Sequence, residues 1–383
     1  MKKNLFILAA AALAFTACSS DETIAVNEGL ADANTISFRT FTNNMTRAAE
    51  TSFSNSNEAT QFKVTAYPTG TTTTPYFAGV EFGGDGSTYW VSKSNKYYWP
   101  SDKNLDFYAW APASVADAYN NIAFTPNAAA ASQVDFVYAR TDNWGKYTGA
   151  TTGHQIGTDA SYVALNFRHT LSKIIVAVYN TNPNLKITVK DVTLGNVSGS
   201  GTFNIGAVTT DTQNENLSAG WTSLGEITSS YNQADAETLD GEVVAGSAVS
   251  LGEDMKLIPQ TLTKQTAYYN EGSAAVNDPF NGAYVSFKIK IQNKADNSYI
   301  VGSEGSSDSN YEEAMWNLNA DTWNYGYAYT YKVDLSQGGY YIKNHDSNAD
   351  LDPILEGAEI KVVTATVDSW DDGGTPSIDT VAP

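Results

Sequence analysis

Residues 62–68 have the sequence FKVTAYP, in which apolar and polar residues alternate until a proline ends the run. Alternation of this kind places successive side chains on opposite faces of a strand, and proline is confined to strand ends and edges. Similar short runs follow at 97–100, 105–112, 135–139, 162–167, 171–179, 185–194, 256–258, 284–291, 325–335 and 360–367. Only residues 309–318 hint at the 3.6-residue period of a helix, so the pattern predicts an all-β fold.

A polar segment divides these runs into two groups. Residues 147–160 are rich in Thr and Gly, include His154 and Asp159, and contain few apolar side chains, which indicates a connection between domains. A chain of 383 residues is long enough for two domains that each bury a core. We therefore expect two tandem β-sandwich domains, over residues 48–157 and 158–383.

The first residues have the pattern of an export signal. Lys2 and Lys3 precede an apolar stretch over residues 5–15, and Ala17 precedes Cys18, the single cysteine of the chain. This pattern predicts a lipoprotein signal peptide over residues 1–17, with Cys18 as the acyl acceptor. The alternative is an ordinary secreted protein with a stray cysteine at its processing site. The apolar stretch, like every later one, is shorter than the roughly 20 residues that a transmembrane helix needs.

The composition excludes some partners. The chain has 42 acidic and 22 basic residues, and such an acidic surface repels nucleic acid and anionic lipid head groups. Aromatic residues make up 12% of the chain and charged residues 17%. Aromatic and β-branched residues suit a pleated surface, so this composition is typical of β-rich extracellular proteins.

Histidine and cysteine do not form a metal site. His154, His169 and His345 have no ligand spacing to one another or to Cys18, so a zinc site is not expected. For His169 we expect a structural role, with hydrogen bonds to backbone at a strand junction.

Acidic residues give no clear metal or catalytic signal either. A calcium loop would use Asp346, Asn348, Asp350 and Asp352, but its glycine position holds a leucine, so a solvated acidic loop is the simpler interpretation. No nucleophile elbow, phosphate loop or dinucleotide motif appears in a supporting context. We expect no enzyme activity, no cofactor and no metal.

Several motifs occur in a characteristic order: ISF at 36–38, TRA at 46–48, YWP at 98–100, FYA at 107–109, FRHTLSKI at 167–174, LIPQTL at 257–262 and VDSW at 367–370. In this order and spacing they resemble the fimbrillins, the two-domain lipoprotein subunits of type V pili in the Bacteroidales. The resemblance implies two transthyretin-like β-sandwich domains, a location at the cell outer membrane and in the fimbrium, and a contribution to adhesion.

The resemblance also implies how the chain assembles. In fimbrillins a protease cuts after an arginine behind the first strand, that strand leaves, and a strand of a neighbouring subunit fills the groove. The matching cut lies between Arg47 and Ala48, so residues 18–47 would be a tether and propeptide. The removable strand would be residues 35–42, with Ile36 and Phe38 as its inward anchors. Implied partners are other pilus subunits, the processing protease, the outer membrane through lipid on Cys18, and a receptor on a host or bacterial surface.

The sequence leaves the donor strand and two other functions open. Residues 371–383 contain two glycines and two prolines and make a poor strand, so either residues 359–370 are the donor or this chain donates nothing. A surface lipoprotein that binds glycans through exposed aromatics is the main alternative, and a secreted hydrolase is a distant third. Candidate sugar-stacking residues, which we expect in the core instead, are Tyr98, Trp99, Trp110, Trp316 and Trp323.

Overall fold

The computed structural model describes residues 34–42, 61–84, 90–146, 153–156, 162–208, 220–264, 282–342, 351–353, 355 and 362–370. These residues form strands and five short 3-10 turns, and they include no α-helix. The predicted all-β fold is confirmed. No helix in these ranges is long and apolar enough to cross a bilayer.

The strands of the described residues are short and follow one another closely. They are β1 (Phe38–Thr42), β2 (Phe62–Pro68), β3 (Phe77–Gly83), β4 (Val91–Ser92), β5 (Leu105–Ala111), β6 (Ile122–Phe124), β7 (Val137–Gly145), β8 (His154–Gln155), β9 (Val163–His169), β10 (Ser172–Tyr179), β11 (Leu185–Ser198), β12 (Gly201–Phe203), β13 (Trp221–Thr222), β14 (Ile227–Asp240), β15 (Val249–Ser250), β16 (Met255–Leu257), β17 (Tyr284–Asn293), β18 (Tyr299–Val301), β19 (Glu312–Leu318), β20 (Tyr327–Asp334), β21 (Tyr340–Ile342), β22 (Leu351–Pro353), β23 (Val362–Val363) and β24 (Ala365–Ser369). The 3-10 turns are Ala113–Val115, Ala130–Ser132, Ile205–Ala207, Ala245–Ser247 and Asp308–Asn310.

The first sheet curls around its own apolar core. Its strands are neighbours in the order β1, β9, β7, β5, β2, β3, β4, with β8 beside β7. Alternate residues of these strands, including Phe62, Phe82 and Leu165, form the first core. A bridge between Phe38 and Trp90, the residue before β4, brings the far end of the sheet back to β1. β1 lies at one end of the strand order, beside β9, and it therefore also contacts the other end, beside β4.

The second half of the chain forms two sheets that face each other. One contains β15, β10, β20 and β24, with β16 beside β10, and the other contains β14, β11, β17, β19, β21 and β22, with β18 and β23 at its sides. Inward side chains such as Val176, Ile187, Ile289 and Tyr331 fill the second core between them. Opposed sheets with alternating inward residues are the architecture of a β-sandwich. The two cores come from successive parts of the chain, and the division into tandem sandwich domains stays a prediction.

A third cluster, the seam core, joins the two halves. Strand β6 pairs with β12, which also pairs with β13, so one small sheet contains strands from both halves. Beneath it, Tyr138 and Phe136 of the first half contact Phe203, Trp221 and Tyr325 of the second. Strand β5 contributes side chains to two cores, since Phe107 belongs to the first core and Trp110 to the seam core.

The expected domain boundary at residue 157 stays a prediction. Strand β9 follows that position, yet it pairs with β1 and β7 and contributes Val163 and Phe167 to the first core. These contacts favour a division nearer residue 170, between β9 and β10.

Candidate functional site

Residues 34–42, called here the N-terminal segment, form hydrogen bonds along both of their edges. On one edge the backbone N–H of Ile36 donates to the Tyr97 carbonyl (2.8 Å), and Phe38 exchanges two backbone hydrogen bonds with Trp90 (2.8 and 3.1 Å). On the other edge β1 runs parallel to β9, with Phe38 opposite Val163. The segment therefore lies between two other parts of the sheet, and its loss would leave donors and acceptors unpaired on both sides.

The two anchors predicted from the sequence lie in the first core. Ile36 is 1% exposed and Phe38 is fully buried. The Phe38 ring packs edge to face against Phe82, Phe107 and Phe62, with centroid distances of 4.8, 5.2 and 6.2 Å. Burial of each side chain contributes about 1.5–3 kcal/mol, and favourable aromatic pairs add roughly 0.5–1.5 kcal/mol each. Removal of the segment would thus expose the apolar side chains that Ile36 and Phe38 cover.

The structure describes only some of the positions that bear on processing. Cys18, Arg47 and Ala48 lie outside the described residues. Arg39 is a second arginine near the predicted cut, and it lies within β1, where its backbone pairs with Ala164. A protease needs an extended and accessible backbone, so pairing of Arg39 in a sheet disfavours cleavage there.

The carboxyl-terminal strands pair within the chain. β24 pairs antiparallel with β20, and β23 pairs with β19. Val363 is buried in the second core and Trp370 in the seam core. The described part of residues 359–370, which the sequence suggested as a donor strand, thus has a structural role in its own subunit.

His169 and Trp370 connect the end of β24 to the seam between the halves. Their rings stack with centroids 3.8 Å apart and planes 7° apart, and Nδ1 of His169 lies 2.9 Å from a carboxylate oxygen of Asp135. The ammonium of Lys173 lies 5.2 Å from the centre of the Trp370 ring. We expected hydrogen bonds from His169 to backbone; the contacts described here are instead with the Asp135 carboxylate and the Trp370 ring. The motif VDSW does not indicate which residue stacks on its tryptophan.

The candidate aromatic residues differ in their exposure. Trp110, Trp316 and Trp323 are buried, as the core interpretation predicts, and Trp99 packs against the first core. Tyr98 is 47% exposed and lies beside Tyr76, which is 39% exposed and donates its hydroxyl hydrogen bond to the Tyr98 carbonyl (2.7 Å). This tyrosine pair borders the N-terminal segment, because Thr35 bridges to Tyr98.

Among the described residues, acidic and histidine side chains do not converge on a metal site. In the part of the chain that the structure describes, no three His, Cys, Asp or Glu side chains have the geometry to hold a metal ion. Of the proposed calcium-loop residues, Asp346, Asn348 and Asp350 lie outside the described residues, and Asp352 lies in β22.

Two lysines and an aspartate form a charged cluster that the sequence did not predict. The register of β11 and β17 places Lys190 opposite Lys288, and both ammonium groups contact the Asp308 carboxylate at 2.6 Å. Hydrogen bonds from these two lysines lower the pKa of Asp308 from 3.8 to about 2. The three residues are far apart in sequence, so only the strand register reveals the cluster.

The described residues form an all-β protein with two apolar cores and an aromatic seam core. Its N-terminal segment pairs with β9 on one edge and with Trp90 on the other. The chain belongs to the fimbrillin-like family, whose model matches residues 46–370. Members of this family are structural proteins rather than typical enzymes, and membership makes the chain a cell-surface fimbrial or adhesin subunit that associates with other pilus subunits.

Several solved structures are similar to the chain. A candidate cell adhesion protein of Bacteroides ovatus is 14% identical, with 89% of this chain and 99% of that chain covered and a TM-score of 0.45. One from Bacteroides uniformis is 12% identical, with 88% and 98% covered and a TM-score of 0.44. The tip fimbrial protein Mfa3 from Porphyromonas gingivalis is 13% identical, with 81% and 94% covered and a TM-score of 0.31. No curated protein matches the sequence.

Proposed function

We propose that this chain is a fimbrial subunit exported as a lipoprotein, activated by cleavage between Arg47 and Ala48, and polymerised by strand exchange. The observation that carries the proposal is the position of the N-terminal segment, which forms backbone hydrogen bonds on both edges and buries Ile36 and Phe38. A strand in this position can be replaced by another strand of similar chemistry.

Cleavage would change the thermodynamics of this segment. Before the cut, the segment is tethered to β2 and competes with other strands at a high effective concentration. After the cut it becomes a separate peptide, and a strand from a neighbouring subunit can take its place. The incoming strand would recover the backbone hydrogen bonds and the apolar burial that the departing segment loses.

The test of this proposal uses an arginine-specific protease on the exported chain. Cleavage after Arg47 should convert monomers into a ladder of polymers that resist mild detergent. Arg47→Lys keeps the charge but removes the cleavage site, so the variant should remain monomeric with an unchanged β-sheet circular dichroism spectrum. Cleaved wild-type protein that stays monomeric at high concentration would refute polymerisation by strand exchange.

Membrane attachment is tested separately through Cys18. Cys18→Ser removes the thiol that would carry the acyl chains, and these chains supply most of the affinity for a bilayer. The variant should be exported but move from the outer-membrane fraction to the soluble fraction. Its retention in washed membranes would contradict lipidation at Cys18.

Glycan binding is the second candidate, favoured by the exposed pair of Tyr76 and Tyr98. Exposed aromatic faces stack on the apolar faces of sugars. Under this alternative, Tyr98→Ala should abolish binding to a polysaccharide array without affecting polymer formation. Trp316→Phe, a change in the buried second core, provides the control that should leave glycan binding intact.

A further inference from the structure

The groove beneath the N-terminal segment contains three inward positions at a spacing of two residues. Ile36, Phe38 and Thr40 are all buried, with exposures of 1%, 0% and 3%. Side chains two residues apart in a strand share a face. Along the groove, these three residues therefore define first an aliphatic, then an aromatic and then a small position. The groove therefore has a pattern of side-chain preferences as well as a hydrogen-bonding edge.

The central position is the most selective. The Phe38 pocket, formed by Phe62, Phe82 and Phe107, surrounds the Phe38 ring with edge-to-face contacts at interplanar angles of 79°, 88° and 86°. An aliphatic side chain would lose these directional contacts, and a small one would leave a cavity in the first core. The pocket is thus built for an aromatic side chain.

The carboxyl-terminal residues of a second copy do not match this pattern. Trp370 is the sole aromatic residue between positions 359 and 383, and aspartates occupy positions 368 and 372, where the pattern needs an aliphatic and a small residue. Trp370 is also 2% exposed and stacks on His169 in its own subunit. Residues 36–40, 80–84 and 105–109 of a second copy do contain the pattern, but they overlap strands β1, β3 and β5 of that copy's own first core. Residues 13–17 also contain it, and they belong to the predicted signal peptide.

We propose that the groove accepts a strand with an aliphatic-x-aromatic-x-small pattern from a different kind of subunit, and not residues 359–383 of a second copy. This inference rests on the proposed strand exchange and adds the chemical identity of the partner strand. It makes this chain an acceptor in a heteromeric contact.

Peptide exchange into the cleaved chain tests the inference. A site-specific protease sequence placed within residues 43–50 of the full chain allows cleavage without relying on Arg47. Fluorescent peptides are then titrated and followed by anisotropy: residues 34–42 as the parent, its Phe38→Ala, Phe38→Leu and Asn34→Ala variants, and residues 359–370 and 371–383. Asn34 is exposed and lies outside the three inward positions, and its side chain accepts a long hydrogen bond of 3.4 Å from the Lys146 ammonium, so its variant is the control for changes away from the pockets.

The parent and Asn34→Ala peptides should bind with similar affinity. Phe38→Ala should weaken binding on the order of 10²–10³-fold, because truncation of a buried phenylalanine leaves a cavity. Phe38→Leu should weaken it by about tenfold, and the two carboxyl-terminal peptides should bind no better than Phe38→Ala.

Two failures are distinguishable. If no peptide enters the groove after cleavage, strand exchange itself is wrong and the proposed function falls with it. If the parent peptide enters but Phe38→Ala or a carboxyl-terminal peptide binds within about threefold of it, strand exchange stands and the selective acceptor role is overturned.

Discussion

At the scale of single residues, Asp308 relieves an unfavourable pairing within a sheet. Lys190 and Lys288 lie directly opposite each other on β11 and β17, and like charges in such positions destabilise a strand pair. The Asp308 carboxylate accepts hydrogen bonds from both ammonium groups at 2.6 Å. Asp308 itself lies on the surface, so its effect is modest and depends on ionic strength.

Asp308→Asn should make the free energy of unfolding less dependent on pH in the acid range. The folded-state pKa of Asp308 is lowered from 3.8 to about 2, first by hydrogen bonds from Lys190 and Lys288. A lowered folded pKa contributes stability that is complete above the unfolded pKa and is lost as pH falls through the folded one. Urea unfolding between pH 5 and pH 2 should therefore give a larger free energy of unfolding for the wild type than for Asp308→Asn, and this difference should disappear toward pH 2.

High salt should reduce the advantage that Asp308 provides, because the contacts are exposed. Asp102→Asn is the matched control, since Asp102 is an exposed carboxylate that lies 3.4 Å from the Lys103 ammonium. Equal pH dependence in the two variants would contradict a special role for Asp308.

At the scale of elements, β24 is held at its end by the stack of Trp370 on His169. Trp370→Ala should destabilise the protein by about 3 kcal/mol, because it removes a buried ring from the seam core. Hydrogen exchange of the β24 amides should accelerate more than that of β10. Val367→Ala changes a residue of the same strand that is 51% exposed and should cost less than about 0.5 kcal/mol. Equal protection of β24 in both variants would argue against the stack as its anchor.

Alternation in the sequence is sufficient to locate strands that are buried on one face. The stretch FKVTAYP forms β2 at Phe62–Pro68, as predicted. Alternation does not locate the strand within residues 309–318. The helix period that we saw there is wrong, because Glu312–Leu318 form strand β19. Residues 314–318 of that strand are all buried, so both faces are covered and the alternation of apolar and polar residues is lost, although Asn317 is polar.

Strand partners are harder to predict than strand positions. The anchors Ile36 and Phe38 follow from alternation and resemblance, but the pairing of β1 with both β9 and Trp90 depends on long-range register. The seam core left a weaker signal in LDFYAWA of β5, an apolar run that only Asp106 interrupts and that is buried throughout. Such a run indicates burial on both faces, yet it does not identify the element that covers the second face.

At the scale of the whole molecule, the seam core couples the two halves. The Phe203 ring of the second half lies 5.3 Å from Tyr138 and 5.5 Å from Phe136 of the first, measured between ring centroids. We expect calorimetry to show one cooperative unfolding transition for the wild-type chain. Phe203→Ala should cost about 3–5 kcal/mol and separate the transition into two.

Phe287→Ala is the control for this uncoupling, because Phe287 is equally buried but belongs to the second core. It should lower the midpoint of unfolding without producing a second transition. Two transitions in the wild-type chain would contradict coupling through the seam.

The double pairing of the N-terminal segment has a consequence for the order of folding. A chain is made and exported from its amino terminus, yet Phe38 cannot pair with Val163 until the residues between them have emerged. Closure of so long a loop is entropically costly and slow. We therefore expect the N-terminal segment to be among the last parts to pair, after the rest of the first core has collapsed around its position. A strand that is added late in folding is also one that can leave without reversing the earlier steps.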